Sequence, residues 1–144
     1  MVSRDRIVVG GDTTPSATAA LRWAVEEAAR HHSSVLVVHA FDLGGRADLA
    51  LERDLDRSRR DSRYRTQSWV VEVLGDSGIE VPVMVQTPDA SVEDALVAAS
   101  ERASLLVIGE PQNGRRLDLA ERLSRRCSCP VVTVGVGQSP ALAG

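Results

Sequence analysis

The sequence predicts an α/β fold: one domain built on a parallel sheet with helices on both faces. Three observations predict it. Short apolar runs recur along the chain, each only a few residues long, as buried strands require. Between them lie segments whose apolar residues fall at helical spacing. The 144 residues match the usual size of a single domain with one real core, and there is no internal repeat, linker or composition shift to mark a second one. Strands that alternate with helices imply right-handed crossovers, hence a parallel sheet covered on both sides.

The elements follow in order. Residues 6–10, Arg-Ile-Val-Val-Gly, form an apolar run ending in glycine and read as the first strand. Thr14-Pro15 then supplies an N-cap and a proline at the first helical position. Ala17, Ala20, Leu21, Ala24, Val25 and Ala28 follow at helical spacing, and His31-His32-Ser33 closes that helix. Residues 35–40 are the second strand, and Gly44-Gly45 marks a loop. A long helix is predicted from about Arg46 to Leu74, with Leu51, Leu55, Trp69, Val70, Val73 and Leu74 as its apolar stripe. That stripe is thin in the middle, where Ser58 and Ser62 stand. Residues 79–86 read as the third strand, and Pro82 makes it an edge strand, because proline cannot donate to a ladder. Ser91-Val92-Glu93-Asp94 resembles a capping box ahead of a helix carrying Val92, Ala95, Leu96 and Ala99. Residues 105–108 are the fourth strand. Leu117, Ala120, Leu123 and Cys127 mark the last helix, and residues 130–134 the fifth strand. The domain is thus predicted over 1–137, with residues 138–144 as a disordered C-terminal tail.

Composition narrows the function. The net charge of -3 gives no field favouring nucleic acid, although all 17 basic residues are arginine. No apolar run approaches the ~20 residues of a membrane span. The N-terminal residues lead directly into a strand and not a signal peptide, so a cytoplasmic protein is expected. Cys127 and Cys129 are too few and too close for a disulfide framework, and two ligands do not make a zinc site.

The loop after the fourth strand, Gly109-Glu110-Pro111-Gln112-Asn113-Gly114, lies where an open α/β sheet places a ligand: beyond the carboxyl end of a strand, before a helix N-terminus. It carries a carboxylate and a proline where a phosphate cradle needs bare glycine amides. If the strand order reverses between the first and fourth strands, Gly10-Gly11-Asp12 and Gly109 share one crevice.

The run Ile7-Val8-Val9-Gly10-Gly11-Asp12-Thr13-Thr14-Pro15-Ser16, followed by Ala19-Ala20-Leu21-Arg22-Trp23-Ala24, resembles the opening of universal stress proteins. Residues 36–40, 105–109 and 129–134 resemble that family's second, fourth and fifth strands. The resemblance covers nearly the whole chain from Arg6 to Val134. It implies a Rossmann-like three-layer sandwich with a five-stranded parallel sheet of order 3-2-1-4-5, and a homodimer paired through the fifth strand, Val131–Val134. It also implies a stress-response role.

Members of the family that bind ATP carry G-x2-G-x9-G-[ST] after the fourth strand. Here Gly109 matches the first glycine. The second falls on Gln112, unless Gly114 substitutes in a shifted register, and the Gly-Ser pair falls on Leu117-Asp118 in a shortened connection. Asp118 and Glu110 would each repel a phosphate by on the order of 1–4 kcal/mol at intermediate dielectric. The usual ATP mode is therefore expected to be lost.

The candidate nucleotide pocket comprises Gly10, Asp12, Ala40, Gly109, Gly114 and Arg115. Asp12 matches an aspartate that lies by the nucleotide in binders, and reads equally as a turn residue ahead of Thr14-Pro15. Ala40 matches a position whose backbone faces the adenine, and reads also as a plain strand end. Arg115 and Arg116 sit beside the crevice, where guanidinium groups could hold an anion; Arg122, Arg125 and Arg126 read as a solvated helix face. His39, at the end of the second strand, reads as a structural histidine, since no Ser or Cys nucleophile pattern accompanies it. No catalytic residue, metal site or obligatory cofactor is expected. The leading reading is a non-catalytic, dimeric regulatory protein with unidentified protein partners, without nucleic acid or membrane. The alternatives are a sensor of ATP, AMP or cyclic AMP using a modified pocket, and a weak nucleotide hydrolase.

Overall fold

A computed structural model describes residues 6–12, 14–40, 52–75, 77–110, 117–137 and 139–143. The elements run β1 (Arg6–Gly10), α1 (Pro15–His31), β2 (Ser34–Val38), α2 (Glu52–Leu74), β3 (Val83–Gln86), α3 (Val92–Ser100), β4 (Leu105–Gly109), α4 (Leu117–Arg126), β5 (Val131–Val134) and β6 (Ala141–Leu142). The sheet order is β3-β2-β1-β4-β5-β6. The first five strands are parallel, and β6 runs antiparallel to β5. The order 3-2-1-4-5 is therefore present, extended by one strand.

Each central strand feeds two faces, because successive side chains point to opposite sides. Ile7 and Val9 of β1, Val35 and Val37 of β2 and Val107 of β4 pack under α1 and α2. Val8, Leu36, Val38, Leu106 and Ile108 point the other way and pack under α3 and α4. Leu21, Leu36, Leu106 and Leu123 are fully buried, so each face carries branched aliphatic anchors in place of the missing aromatics.

Local chemistry sets the helix ends. Thr14 is the N-cap of α1 and its Oγ1 accepts from the Ala17 amide at 3.2 Å. His32 closes α1 in the left-handed conformation at φ 55°. Ser91 caps α3, its Oγ accepting from the Asp94 amide at 3.2 Å. The thin middle of α2 has a packing reason: Ser62 and Thr66 are buried there, and Thr66 Oγ1 donates to the Ser62 carbonyl at 2.8 Å. Trp69 Nε1 then donates to Thr18 Oγ1 at 3.1 Å and ties α2 to α1. Residues 46–51, where the long helix was expected to begin, lie outside the described residues, as do Gly44 and Gly45.

Two expectations are corrected. The third strand is shorter than residues 79–86: it starts at Val83, because Pro82 has no amide to pair, although its carbonyl still accepts from the Val35 amide at 2.9 Å. It lies at the sheet edge, as the proline required. The sheet has six strands and not five. Within the supposed tail, Ala141 and Leu142 pair with Thr133 and Val132, and the Ala143 amide donates to the Val131 carbonyl at 2.8 Å. An uncovered β5 edge would leave backbone groups next to a buried valine row without partners; β6 supplies them.

Candidate functional site

β1 sits between β2 and β4, so the crossover direction reverses beside it. The carboxyl ends of β1, β2 and β4 open onto a cavity of about 160 Å³. Gly10, Gly11 and Asp12 come from β1 and its loop, Val38, His39 and Ala40 from β2, and Ile108 and Gly109 from β4. Val92 and Leu96 of α3 and Leu119 of α4 complete the wall. The structure thus brings together Gly10, Asp12, Ala40 and Gly109. Gly114 and Arg115 lie outside the described residues, and so does Arg116.

Asp12 is both a turn residue and a cavity residue. Its Oδ1 accepts from the Thr14 amide at 3.1 Å and from Thr14 Oγ1 at 2.6 Å, so it orients the hydroxyl that caps α1. His39 is pinned at two points. Its amide donates to the Gln86 carbonyl at 2.9 Å, and its Nδ1 lies 2.5 Å from the Gly11 carbonyl oxygen. A carbonyl only accepts, so Nδ1 carries a proton, and in that tautomer Nε2 is the acceptor. Among the described lining residues Asp12 is the charged one, and the rest of the wall is mostly aliphatic. This arrangement suits a flat ring with donor groups at its edge better than a polyanion.

The glycines divide by role. A Cβ on Gly10 would meet Ile108 Cγ2 at 3.4 Å and Leu96 at 3.6 Å, ordinary contacts with cavity walls. A Cβ on Gly109 would lie 2.7 Å from the Ala17 nitrogen and from both the carbonyl carbon and Oγ of Ser16. Gly109 therefore lets the first turn of α1 approach β4, whatever the loop beyond it does.

A comparison with known families matches residues 3–135 to the Universal stress protein family. The chain belongs to this family. A universal stress protein of Burkholderia pseudomallei is 25% identical, with 91% of this chain and 96% of that one covered at a TM-score of 0.67. One from Archaeoglobus fulgidus is 27% identical, with 90% and 92% covered at 0.64. A structure from Archaeoglobus fulgidus in complex with dAMP is 25% identical, with 93% and 99% covered at 0.62. A search of curated proteins finds no match.

Sequence reasoning about this universal stress protein domain missed the helical half of the cavity. Val92 and Leu96 read simply as core spacing. The usable signal was that Val92 directly follows the N-cap of α3, which places it at the carboxyl end of the sheet. The arginines of α4 are exposed, as read, but Arg122 and Arg126 are not merely solvated. Both donate to the Glu93 carboxylate, and Arg126 Nη1 also reaches Asp94 Oδ1 at 3.1 Å, joining α3 to α4. These bonds, Arg122 first and then Arg126, hold the Glu93 carboxyl below the usual carboxylate range. A depressed folded-state pKa contributes stability above the unfolded value of 4.5 and loses it as pH falls through the folded value. Glu93→Gln should therefore lower the melting temperature slightly at neutral pH, where the pair contributes, and flatten the acid side of the profile so that the two proteins converge at low pH. Equal acid sensitivity in both proteins would refute this.

No helix among the described residues is long and apolar enough to cross a membrane. No group of three or more metal-ligating side chains gathers among them either.

Proposed function

We propose that this universal stress protein is a non-catalytic regulatory module whose cavity takes the nucleoside end of an adenine nucleotide. The usual triphosphate grip is absent in this reading. One observation carries it: the carboxyl-end cavity is formed, apolar, and lined by Asp12 and His39 without a cationic side chain among its described residues. Base and ribose present donors that such acceptors can take, whereas a polyphosphate would face the Asp12 carboxylate. The sequence of the following connection agrees, with Leu117-Asp118 in place of the Gly-Ser pair. The volume also agrees: about 160 Å³ is less than the ~300–1,000 Å³ of sites that enclose a drug-sized ligand, so only part of a nucleotide is enclosed. The dAMP complex of the Archaeoglobus fulgidus protein supports the ligand class. The His39 ring is bonded to a backbone carbonyl and no nucleophile is paired with it among the described residues, which favours binding over hydrolysis. Regulation would then pass to protein partners, and to a second copy paired along the β5 edge.

Thermal unfolding with AMP, dAMP, cyclic AMP and ATP tests the reading. Ligand at a hundred times its Kd adds about 2.7 kcal/mol, and ATP should do no better than the monophosphates. Gly10→Ala should weaken the shift, because its Cβ narrows the cavity beside Ile108 and Leu96, while the unliganded melting temperature stays near that of the parent. No shift with any adenine nucleotide would sink the proposal. Phosphate release above background, lost in His39→Ala, would replace it with the hydrolase reading.

A further inference from the structure

α4 rests on little apolar surface. Among its described residues Ala120 and Leu123 are buried, and Leu123 is the bulky anchor of the two. A helix seated on one large side chain is free to tilt, so its position depends on what else ties it down. Its polar ties to α3 converge on one carboxylate. Arg122 Nε donates to Glu93 Oε1, and Arg126 Nη1 donates to Glu93 Oε2 and to Asp94 Oδ1. Both oxygens of Glu93 are thus taken, one by each arginine. The Glu93 side chain is only 24% exposed, so water competes less for it than for an ordinary surface carboxylate.

The same helical turns carry the cavity wall. On α3, Val92 directly precedes Glu93, and Leu96 stands three residues after it, a neighbour on the helix surface. On α4, Leu119 stands three residues before Arg122. Val92, Leu96 and Leu119 all line the cavity. The other side of the cavity is made by the ends of β1, β2 and β4, which the strand ladders fix. The helical side is therefore the part that can change shape. A tilt of α4 that parts Arg122 from Glu93 also draws Leu119 away from Val92 and Leu96.

We infer that Glu93 is a positioning residue of the cavity: its pairs with Arg122 and Arg126 clasp the α4 wall to the α3 wall, and the clasped state is the one that binds. This rests on the reading above that the cavity takes a nucleoside end. Ligand affinity then falls by the fraction of molecules in which the clasp is open. The coupling is reciprocal, so a bound ligand also tightens the clasp. Because the clasp is made of ion pairs, it makes occupancy of an apolar cavity respond to ionic strength, through residues that do not touch the ligand.

Titration calorimetry with adenosine tests it. Adenosine carries no charge, so an ionic-strength effect on its affinity reports on the protein's own ion pairs. At low salt, Glu93→Gln should bind adenosine about two- to fivefold more weakly than the parent. Raising the salt to about 0.5 M should bring the parent down to the level of Glu93→Gln, which itself changes little. Arg122→Lys keeps the charge and should follow the parent, whereas Arg122→Met should follow Glu93→Gln. Glu27→Gln is the control: it removes an exposed partner of Arg30 and His31 on α1 and should bind as the parent does at every salt concentration. Parent and Glu93→Gln with equal adenosine affinity at low salt would overturn the clasp and leave the nucleoside reading standing. A parent that binds neither adenosine nor AMP at any salt concentration would overturn both.

Discussion

Truncating Trp69 to alanine should lower the unfolding free energy by about 3–5 kcal/mol, read as a drop in the urea midpoint at constant slope. Trp69 is only 9% exposed in a protein whose aromatic content is 3%. It is a principal link from the sparse inner face of α2 to the sheet. Above it that face offers Ser62 and Thr66, which fill little volume. The indole also stands beside Gly11, where a Cβ would lie 3.2 Å from Trp69 Cζ3, so it braces the β1 loop that enters the cavity. Trp69→Phe separates the contributions: it keeps most of the packing and loses the bond to Thr18, at about 0.5–1.5 kcal/mol. Tyr64→Ala is the control, since Tyr64 is 71% exposed and its truncation should fall within about 0.5 kcal/mol of the parent. A Trp69→Ala cost as small as the control's would mean that α2 is held by something other than this side chain.

Gly109→Ala should be costly for a reason unrelated to ligands. Its Cβ would sit 2.7 Å from backbone atoms of Ser16 and Ala17. Those atoms cannot swing aside as a side-chain tip can, because Asp12 and Thr14 fix the start of α1. The first turn of α1 must shift off β4, and the cost belongs at or above the upper end of the ~1–3 kcal/mol typical of overpacking. Gly10→Ala, one strand away, should be nearly neutral, since its Cβ meets flexible side-chain atoms at 3.4 Å or more. Chemical denaturation of the two variants decides the matter. Equal stabilities would show that the approach of α1 to β4 is looser than the structure has it. If the predicted contrast holds, Gly109 is a packing glycine, and its match to the first glycine of the ATP motif says nothing about phosphate.

Parts of the site were legible because they follow from chain position alone. Gly10, Asp12, Ala40 and Gly109 stand at the ends of apolar runs, and in a parallel sheet all such ends point the same way. Asp12 forms the turn that the residues allowed, and it also borders the cavity. The helical wall was not legible. Val92, Leu96 and Leu119 follow the same spacing as any core residue, and only the packing of α3 and α4 over β4 shows which turns reach the crevice. The pairing of Glu93 with Arg122 and Arg126 was hidden for the same reason, as about thirty residues of chain separate the partners.

Local periodicity settled the element types, the parallel sheet and the two apolar faces, because each depends on neighbours a few residues apart. The family pattern added the strand order. What only the folded chain decided were its close approaches and its edges: why Gly109 must be glycine, what lines the cavity, and what covers β5. Ala141-Leu142 has no alternation and no propensity that would mark it as a strand. It becomes one because β5 presents outward backbone groups that need partners, and need of that kind is a property of the sheet and not of the segment that meets it.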